Sequence, residues 1–285
     1  MIAWLVVVSL VAGDDFRLKA EATGVEKNAG GFRLRAEGPR ETGGFRRQAV
    51  GPRDTGGFRL QAEDPDSLYK QRENIASGQR AEQIWAERLA KDPKDLESAW
   101  KLARARYWLG THAPQQSRKA YLEAGIAAAR AAIAATPNKP EGHFWLGANM
   151  GALAESFGLR QGIKYRGEIK DELETVLRLD PAFLQGSADR ALGRWYNMVP
   201  GLFGGSNKKS EEHLRKSLTY DPNSGASLYF LAETLIDEDK KDEARGVLQR
   251  LAETPVNPDW APEDREFKAK GAALACRASP SNGKC

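Results

Sequence analysis

Apolar residues recur at helical spacing along the chain from Asp66 onwards. In one segment they stand at i, i+3, i+4 and i+7, which places them on one face of an α-helix (Leu228, Leu231, Ala232 and Leu235). This part of the sequence shows no strand-like alternation of apolar and polar residues. The pattern therefore predicts a series of amphipathic helices.

Proline follows a polar residue at four regularly spaced sites. The successive prolines are 44, 44 and 41 residues apart (Asp92-Pro93, Thr136-Pro137, Asp180-Pro181 and Asp221-Pro222). Because proline has no N–H and pushes the preceding residue out of the α region, each of these pairs should end one helix. A fixed period of this size, combined with helical periodicity, predicts an all-α helical solenoid.

The unit after Pro222 has small and large residues where two crossing helices need them. Ala232 and Ala244 are small, as a crossing distance of about 8–10 Å requires, and Leu248 is large. This arrangement resembles the tetratricopeptide repeat, which is about 34 residues long. The resemblance implies a tetratricopeptide-type helical solenoid of about five helix pairs with a C-terminal capping helix. The pairs are predicted at about 66–93, 96–137, 140–181, 183–222 and 224–255, and the capping helix near 262–276.

Residues 14–63 consist of four similar units, each with one phenylalanine and most with paired glycines (Phe16, Phe32, Phe45 and Phe58). Such units cannot bury enough apolar area to offset the entropy of ordering the chain. We interpret 14–64 as a repetitive disordered linker, with a repeated Phe-Arg docking motif as the alternative. The remaining divisions are a signal segment at 1–13, the solenoid at 65–260, and the capping helix with the tail at 261–285.

The stretch from Ile2 to Ala12 is apolar except for Ser9. It is far shorter than the roughly 20 residues needed to span a bilayer as a helix. A short apolar stretch followed by small residues is typical of a secretory signal, although a basic segment before it is missing. We therefore expect a periplasmic or otherwise extracytoplasmic protein without a transmembrane span. A wrongly assigned start codon, and hence a cytoplasmic protein, is the alternative.

Charge and composition exclude several function classes. A net charge of +4 is too even for a nucleic-acid groove, which needs clustered lysine and arginine. The histidines form no catalytic or zinc-binding pattern: His143 falls at a packing position, and His213 has no second histidine at i+4. Cys276 and Cys285 are compatible with a local disulfide or with two free thiols, the latter being favoured. We expect no enzyme, cofactor or metal.

The glycine-rich run from Pro200 to Lys209 does not have the spacing of a phosphate-binding loop and follows a helix. It predicts a long turn in which Leu202 and Phe203 pack against the solenoid and Ser206 or Asn207 caps the next helix.

The segment WYNMVPGLFGGSNKKSEEHLRKSLTYDPN around this turn resembles the TRAP-transporter T-component family. The upstream stretch HFWLGANMGALAESFG resembles both that family and the regulator-of-microtubule-dynamics family. The first resemblance implies an extracytoplasmic tetratricopeptide protein that accompanies a periplasmic solute-binding subunit. The chain departs from it in lacking a lipobox cysteine and in carrying the repetitive head, so membrane anchoring does not carry over.

Solenoids of this type bind through the concave face formed by the first helix of each pair. We therefore expect a non-enzymatic scaffold for a protein partner, with a periplasmic solute-binding protein as one candidate and a homo-oligomer left open. The alternative is a carrier of a small hydrophobic ligand in a tunnel inside the superhelix. The repeat register predicts eight residues on the concave face: Lys101, Trp108, Phe144, Arg190, Arg194, Asn197, Tyr229 and Glu233.

Overall fold

The computed structural model describes residues 63–278, without the side chains at 159–160 and 277–278. The predicted signal segment and nearly all of the predicted linker lie outside the described residues. The described part is helical and contains no strand. Its eleven α-helices are α1 (Pro65–Lys70), α2 (Ile75–Lys91), α3 (Leu96–His112), α4 (Gln115–Ala135), α5 (Pro140–Ser156), α6 (Leu159–Leu179), α7 (Ser187–Met198), α8 (Asn207–Tyr220), α9 (Gly225–Asp237), α10 (Lys241–Glu253) and α11 (Ala261–Ala278).

The second helix of each of the first four pairs ends at the residue before a proline. Asp92, Thr136, Asp180 and Asp221 are the C-caps of α2, α4, α6 and α8. Each of the three aspartates also accepts a hydrogen bond from the backbone N–H two residues later. The Asp-Pro sequence thus stops the helix and closes a tight turn into the next one.

Helices adjacent in sequence pack in antiparallel pairs, and the first helices of neighbouring pairs also touch, as α3 with α5 and α7 with α9. Small residues lie at the crossings, where Ala103, Ala232 and Ala244 have no exposed surface. At Gly193 an added Cβ would lie 2.5 Å from Leu214, so this crossing accepts only glycine without repacking. The predicted tetratricopeptide-type solenoid is confirmed.

The start of the fourth pair differs from the prediction, which placed it at 183. The chain first forms an irregular turn with three successive residues at positive φ, Leu184 at 44°, Gln185 at 57° and Gly186 at 75°. Because a left-handed backbone cannot continue a right-handed helix, α7 begins only at Ser187.

The turn between α7 and α8 contains a short 3₁₀ helix, Gly201–Phe203. Ser206 caps α8, as predicted, by accepting a hydrogen bond from the N–H of Lys209 at 3.3 Å. The prediction that Leu202 and Phe203 pack against the solenoid is wrong for Leu202, which is 90% exposed, whereas Phe203 is 40% exposed and its ring centre lies 5.3 Å from the Arg166 guanidinium of α6.

The capping helix α11 packs against α9 and α10, where Phe267 and Leu274 contact the apolar residues of the last pair. Cys276, near its end, is disulfide-bonded, so the expectation of a free thiol is wrong for this residue. The N-terminal half of α11 reaches further than a simple cap, because it also contacts the first helix pair.

Candidate protein-binding surface

A ladder of charged side chains joins the first helices of three consecutive pairs. Arg194 on α7 lies between Glu155 on α5 and Glu233 on α9, each one repeat of 39 residues away. Its Nε lies 3.2 Å from one carboxylate and its Nη1 lies 2.7 Å from the other. We call Glu155, Arg194 and Glu233 the polar ladder. Because its members occupy equivalent positions in successive repeats, they mark one face of the solenoid.

Neighbouring side chains hold the polar ladder in place. The Tyr229 hydroxyl donates to Glu233 at 2.8 Å, and the Arg194 guanidinium lies 4.8 Å from the centre of the Phe230 ring. These contacts restrict the rotamers of both charged groups. A partner that binds here would therefore lose little side-chain entropy in ordering the site.

Five of the eight predicted residues thus lie on this face, on α7 and α9. Besides Arg194, Tyr229 and Glu233 they include Asn197, whose amide donates to Asp237 at 2.8 Å, and Arg190, whose guanidinium lies 3.4 Å from the Ser224 hydroxyl. The register of the fourth and fifth pairs was therefore predicted well enough to bring these side chains together.

The other three predicted residues are buried, contrary to the expectation of an exposed surface, and so is Tyr229 on α9, which is 8% exposed. Trp108 is 3% exposed and its indole N–H donates to the carbonyl of Arg72 at 2.9 Å. Phe144 is 8% exposed and packs edge-on against Phe183. Lys101 is 9% exposed because it lies between Asp66 and Glu97. In the first pairs the same face is covered by α1 and by neighbouring aromatic rings.

The N-terminal half of α11, which follows the last helix pair, contacts the first helix pair. Glu263 forms a bidentate ion pair with Arg72, in which Nε lies 3.1 Å from Oε1. Arg72 is only 2% exposed and its guanidinium also donates to the carbonyl of Asp259. Residues 191 positions apart in sequence are therefore held together by a largely buried charge pair.

Two more pairs extend this junction. Arg265 binds Glu73, and Glu266 lies 3.2 Å from Nε2 of His112 at the end of α3. His112 in turn stacks on Trp108 with ring centres 3.5 Å apart. We call the three contacts of Glu263, Arg265 and Glu266 the α11 clasp. The clasp therefore joins α11 to the first helix pair and to the end of α3.

The pKa values of the carboxylates in the clasp and of the arginines on α7 are shifted in different directions by their surroundings. Hydrogen bonding to His112 and Lys270 lowers the pKa of Glu266 to about 2. Burial raises the pKa of Glu263 despite the opposing effect of Arg72. Burial likewise lowers the pKa of Arg190, whereas the flanking carboxylates more than offset burial and raise that of Arg194. Glu266 therefore stabilises the contact with His112 only while it is ionised.

The sequence did not reveal Glu155 and Asp237, the acidic partners of this face, or the carboxylates of the α11 clasp. One signal was available, since the spacing of 39 residues on either side of Arg194 is visible in the sequence. The clasp had no comparable signal, because contacts over more than 150 residues do not follow from helical periodicity.

The histidines have structural roles. His143 is 8% exposed and bonds Glu172 and the carbonyl of Pro137, as its predicted packing position implied. His213 bonds the fully buried Asp189 at 2.8 Å. No group of three or more potential metal ligands occurs within residues 63–278. None of the helices described is both long and apolar enough to cross a membrane.

A sequence profile of the regulator of microtubule dynamics protein 1-3 family matches residues 62–276, which is more than half of the chain. The chain belongs to this family. Of the two families that the sequence resembles, the comparisons confirm this one and do not confirm the TRAP-transporter T-component family. No curated protein sequence matches the chain significantly.

Solved structures of tetratricopeptide proteins are similar to this member of the family. TTC0263, a tetratricopeptide protein of Thermus thermophilus, has a TM-score of 0.55 and 22% identity, over 73% of this chain and 96% of that chain. PilF of Pseudomonas aeruginosa has a TM-score of 0.47 and 17% identity, over 76% and 93%. YrrB, described as having an unusual peptide-binding site, has a TM-score of 0.41 and 16% identity, over 70% and 93%. The likeness to TTC0263 supports the tetratricopeptide-type fold.

Proposed function

We propose that the protein is a non-enzymatic scaffold that binds a protein partner through the face of α7 and α9 that carries the polar ladder. The observation that carries this proposal is the ordered arrangement of Arg194 between two carboxylates and above an aromatic ring. Arginine and aromatic residues dominate the energetics of protein interfaces. Here they are half-buried and fixed by their neighbours, so they are organised before a partner arrives.

Affinity capture with matched variants tests this proposal. The full chain, Arg194→Ala and Arg250→Ala would each be immobilised and exposed to the same cell extract, and the captured proteins quantified by mass spectrometry. Arg250 lies on the second helix α10 and is exposed, so it controls for loss of one surface arginine. We expect a partner retained by wild type and Arg250→Ala and lost by Arg194→Ala. Equal capture by all three would refute the assignment of this face.

We also propose an extracytoplasmic location, and a partner drawn from solute-binding proteins of transport systems. Support comes from the apolar stretch Ile2 to Ala12 and from the resemblance of the turn around Gly204 to the T-component family. Fusion of the first residues to a reporter that is active only after export tests the location. A reporter that stays inactive would refute export, and capture of no solute-binding protein would refute the transport role.

A carrier of a small hydrophobic ligand is the second candidate. It is favoured by the α11 clasp, which joins the C-terminal helix to the first helix pair and to α3. Against it, a cleft of about 430 Å³ within the described residues is lined by three cations rather than by apolar side chains alone. Native mass spectrometry of the purified protein decides the matter: a co-purified apolar ligand supports the carrier, and a bare chain contradicts it.

A further inference from the structure

The turn between α7 and α8 is rigid although it lies at the surface. Four backbone hydrogen bonds close it, among them Phe203 N–H to Pro200 carbonyl at 2.8 Å and Ser206 N–H to Tyr196 carbonyl at 2.9 Å. Gly204 has a φ of 104°, and a Cβ at Gly205 would lie 1.5 Å from the carbonyl oxygen of Val199. The turn therefore depends on its glycines and holds one defined shape.

This rigid turn displays apolar side chains to solvent. Leu202 is 90% exposed and Phe203 is 40% exposed, and Met198 at the end of α7 and Ile163 on α6 are exposed to a similar degree as Phe203. These four are most of the large apolar side chains exposed within residues 63–278. Leu202 and Phe203 are adjacent in sequence, so the turn presents two exposed apolar side chains together, which is a feature of interaction sites.

A basic cleft lies directly beside the turn. It has a volume of about 430 Å³ and is formed by α6, the end of α7, the turn and the start of α8. Three cations line it, Arg166, Lys170 and Lys209, against the single carboxylate of Asp171. Two aromatic rings complete the lining, Trp195 and Tyr196, together with Phe203 of the turn.

Two of these cations have no carboxylate partner among the described residues. The Arg166 guanidinium lies 5.3 Å from the Phe203 ring centre, and the Lys209 ammonium lies 5.4 Å from that of Tyr196. Lys170, in contrast, pairs with Glu174 at 2.9 Å. Aromatic rings orient a cation without neutralising its charge. Arg166 and Lys209 are thus positioned and remain able to pair with an incoming anion.

We propose that this cleft and the adjoining turn bind an acidic peptide segment of another protein that carries an apolar side chain. Carboxylates of the segment pair with Arg166 and Lys209, and its apolar side chain packs on Leu202 and Phe203. The excess of cations over carboxylates in the lining selects the charge of the partner, and the exposed leucine and phenylalanine select its apolar anchor. The site is separate from the polar ladder, since its lining does not include Arg194.

Fluorescence anisotropy with synthetic peptides tests the proposal on the full chain. The probe is a short labelled peptide rich in glutamate with one phenylalanine. Two comparison peptides have lysine in place of glutamate, or serine in place of phenylalanine. We expect the probe to bind more tightly than either comparison peptide, and its affinity to fall as salt rises. If the serine peptide binds equally well, the cleft is only a cluster of cations and the proposal is wrong; if the lysine peptide binds as well as the probe, it is also wrong.

Variants then locate the site. We expect the double variant Arg166→Glu, Lys209→Glu to weaken probe binding by about tenfold or more, and Leu202→Ser to weaken it severalfold. The exposed Lys94 supplies the control, since Lys94→Glu changes the net charge elsewhere and should leave the affinity unchanged. Arg194→Ala should also leave it unchanged, which separates this site from the polar ladder. Circular dichroism checks that each variant is folded. Unchanged affinity in both Leu202→Ser and the double variant would overturn the proposal.

Discussion

Removing the carboxylate of Glu263 should uncouple α11 from the first helix pair at a large cost in stability. In Glu263→Leu the Arg72 charge would stay in a site where it is 2% exposed, without its ion-pair partner. Breaking one side of a buried pair costs about 3–5 kcal/mol. Arg72 would keep the carbonyls of Tyr69 and Asp259 as acceptors. We therefore expect the lower end of that range, about 3 kcal/mol.

Urea unfolding followed by circular dichroism measures this cost. With a dependence of roughly 2–3 kcal/mol per molar urea, the midpoint should fall by about 1 M. The double variant Arg72→Met, Glu263→Leu should recover much of the loss, because burial of the charges opposes the pair and an apolar replacement removes that opposition. The matched control is Arg265→Ala, which breaks an exposed pair with Glu73 and should cost less than about 0.5 kcal/mol. If Glu263→Leu costs no more than this control, the clasp does not form as described.

Three further predictions concern packing, the turn and pH. Replacing Gly147 or Ala244 by tryptophan should overpack a helix crossing and destabilise the fold by roughly 1–3 kcal/mol or more in thermal unfolding, and neutral effects at both would show that the repeat register is wrong. Gly205→Ala should disturb the turn and weaken the acidic-peptide probe severalfold while helicity by circular dichroism stays high; an unaltered affinity would contradict the rigid-turn argument. Glu266 contributes stability when ionised, because its pKa falls from 4.5 to about 2 on folding. The cost of Glu266→Gln, about 1 kcal/mol above pH 4.5 once solvent screening of this half-exposed pair with His112 is allowed for, should vanish as pH falls to about 2. Urea titrations across that range measure it, and a cost independent of pH would refute the ion pair.

Much of the fold follows from local sequence features. Helical periodicity and the four polar-proline pairs predict where the helices end, because both act within a few residues of the site they determine. The one boundary that failed, at the start of α7, lies where Leu184 and Gln185 adopt positive φ without being glycine. Because neither Leu184 nor Gln185 favours a positive φ, the local sequence does not predict this turn.

The site was predictable only in part, for a related reason. The repeat register placed Arg194, Tyr229 and Glu233 together, since equivalent positions of a solenoid share one face. It could not show that Trp108 is buried against the first helix pair or that Glu263 reaches Arg72, because both depend on contacts between residues far apart in sequence. The repeat register also could not predict that Leu202 is exposed. The sequence shows that this side chain is apolar, but it does not show whether a turn places it in the core or in solvent.

The central claim is that the face of α7 and α9 binds a protein partner. The most direct measurement is calorimetric titration of the partner identified by affinity capture against wild type, Arg194→Ala and Arg250→Ala, each first shown to be folded. The account predicts that Arg194→Ala weakens binding by about tenfold or more while Arg250→Ala binds as tightly as wild type. Full affinity in Arg194→Ala, or an equal loss in Arg250→Ala, would contradict it.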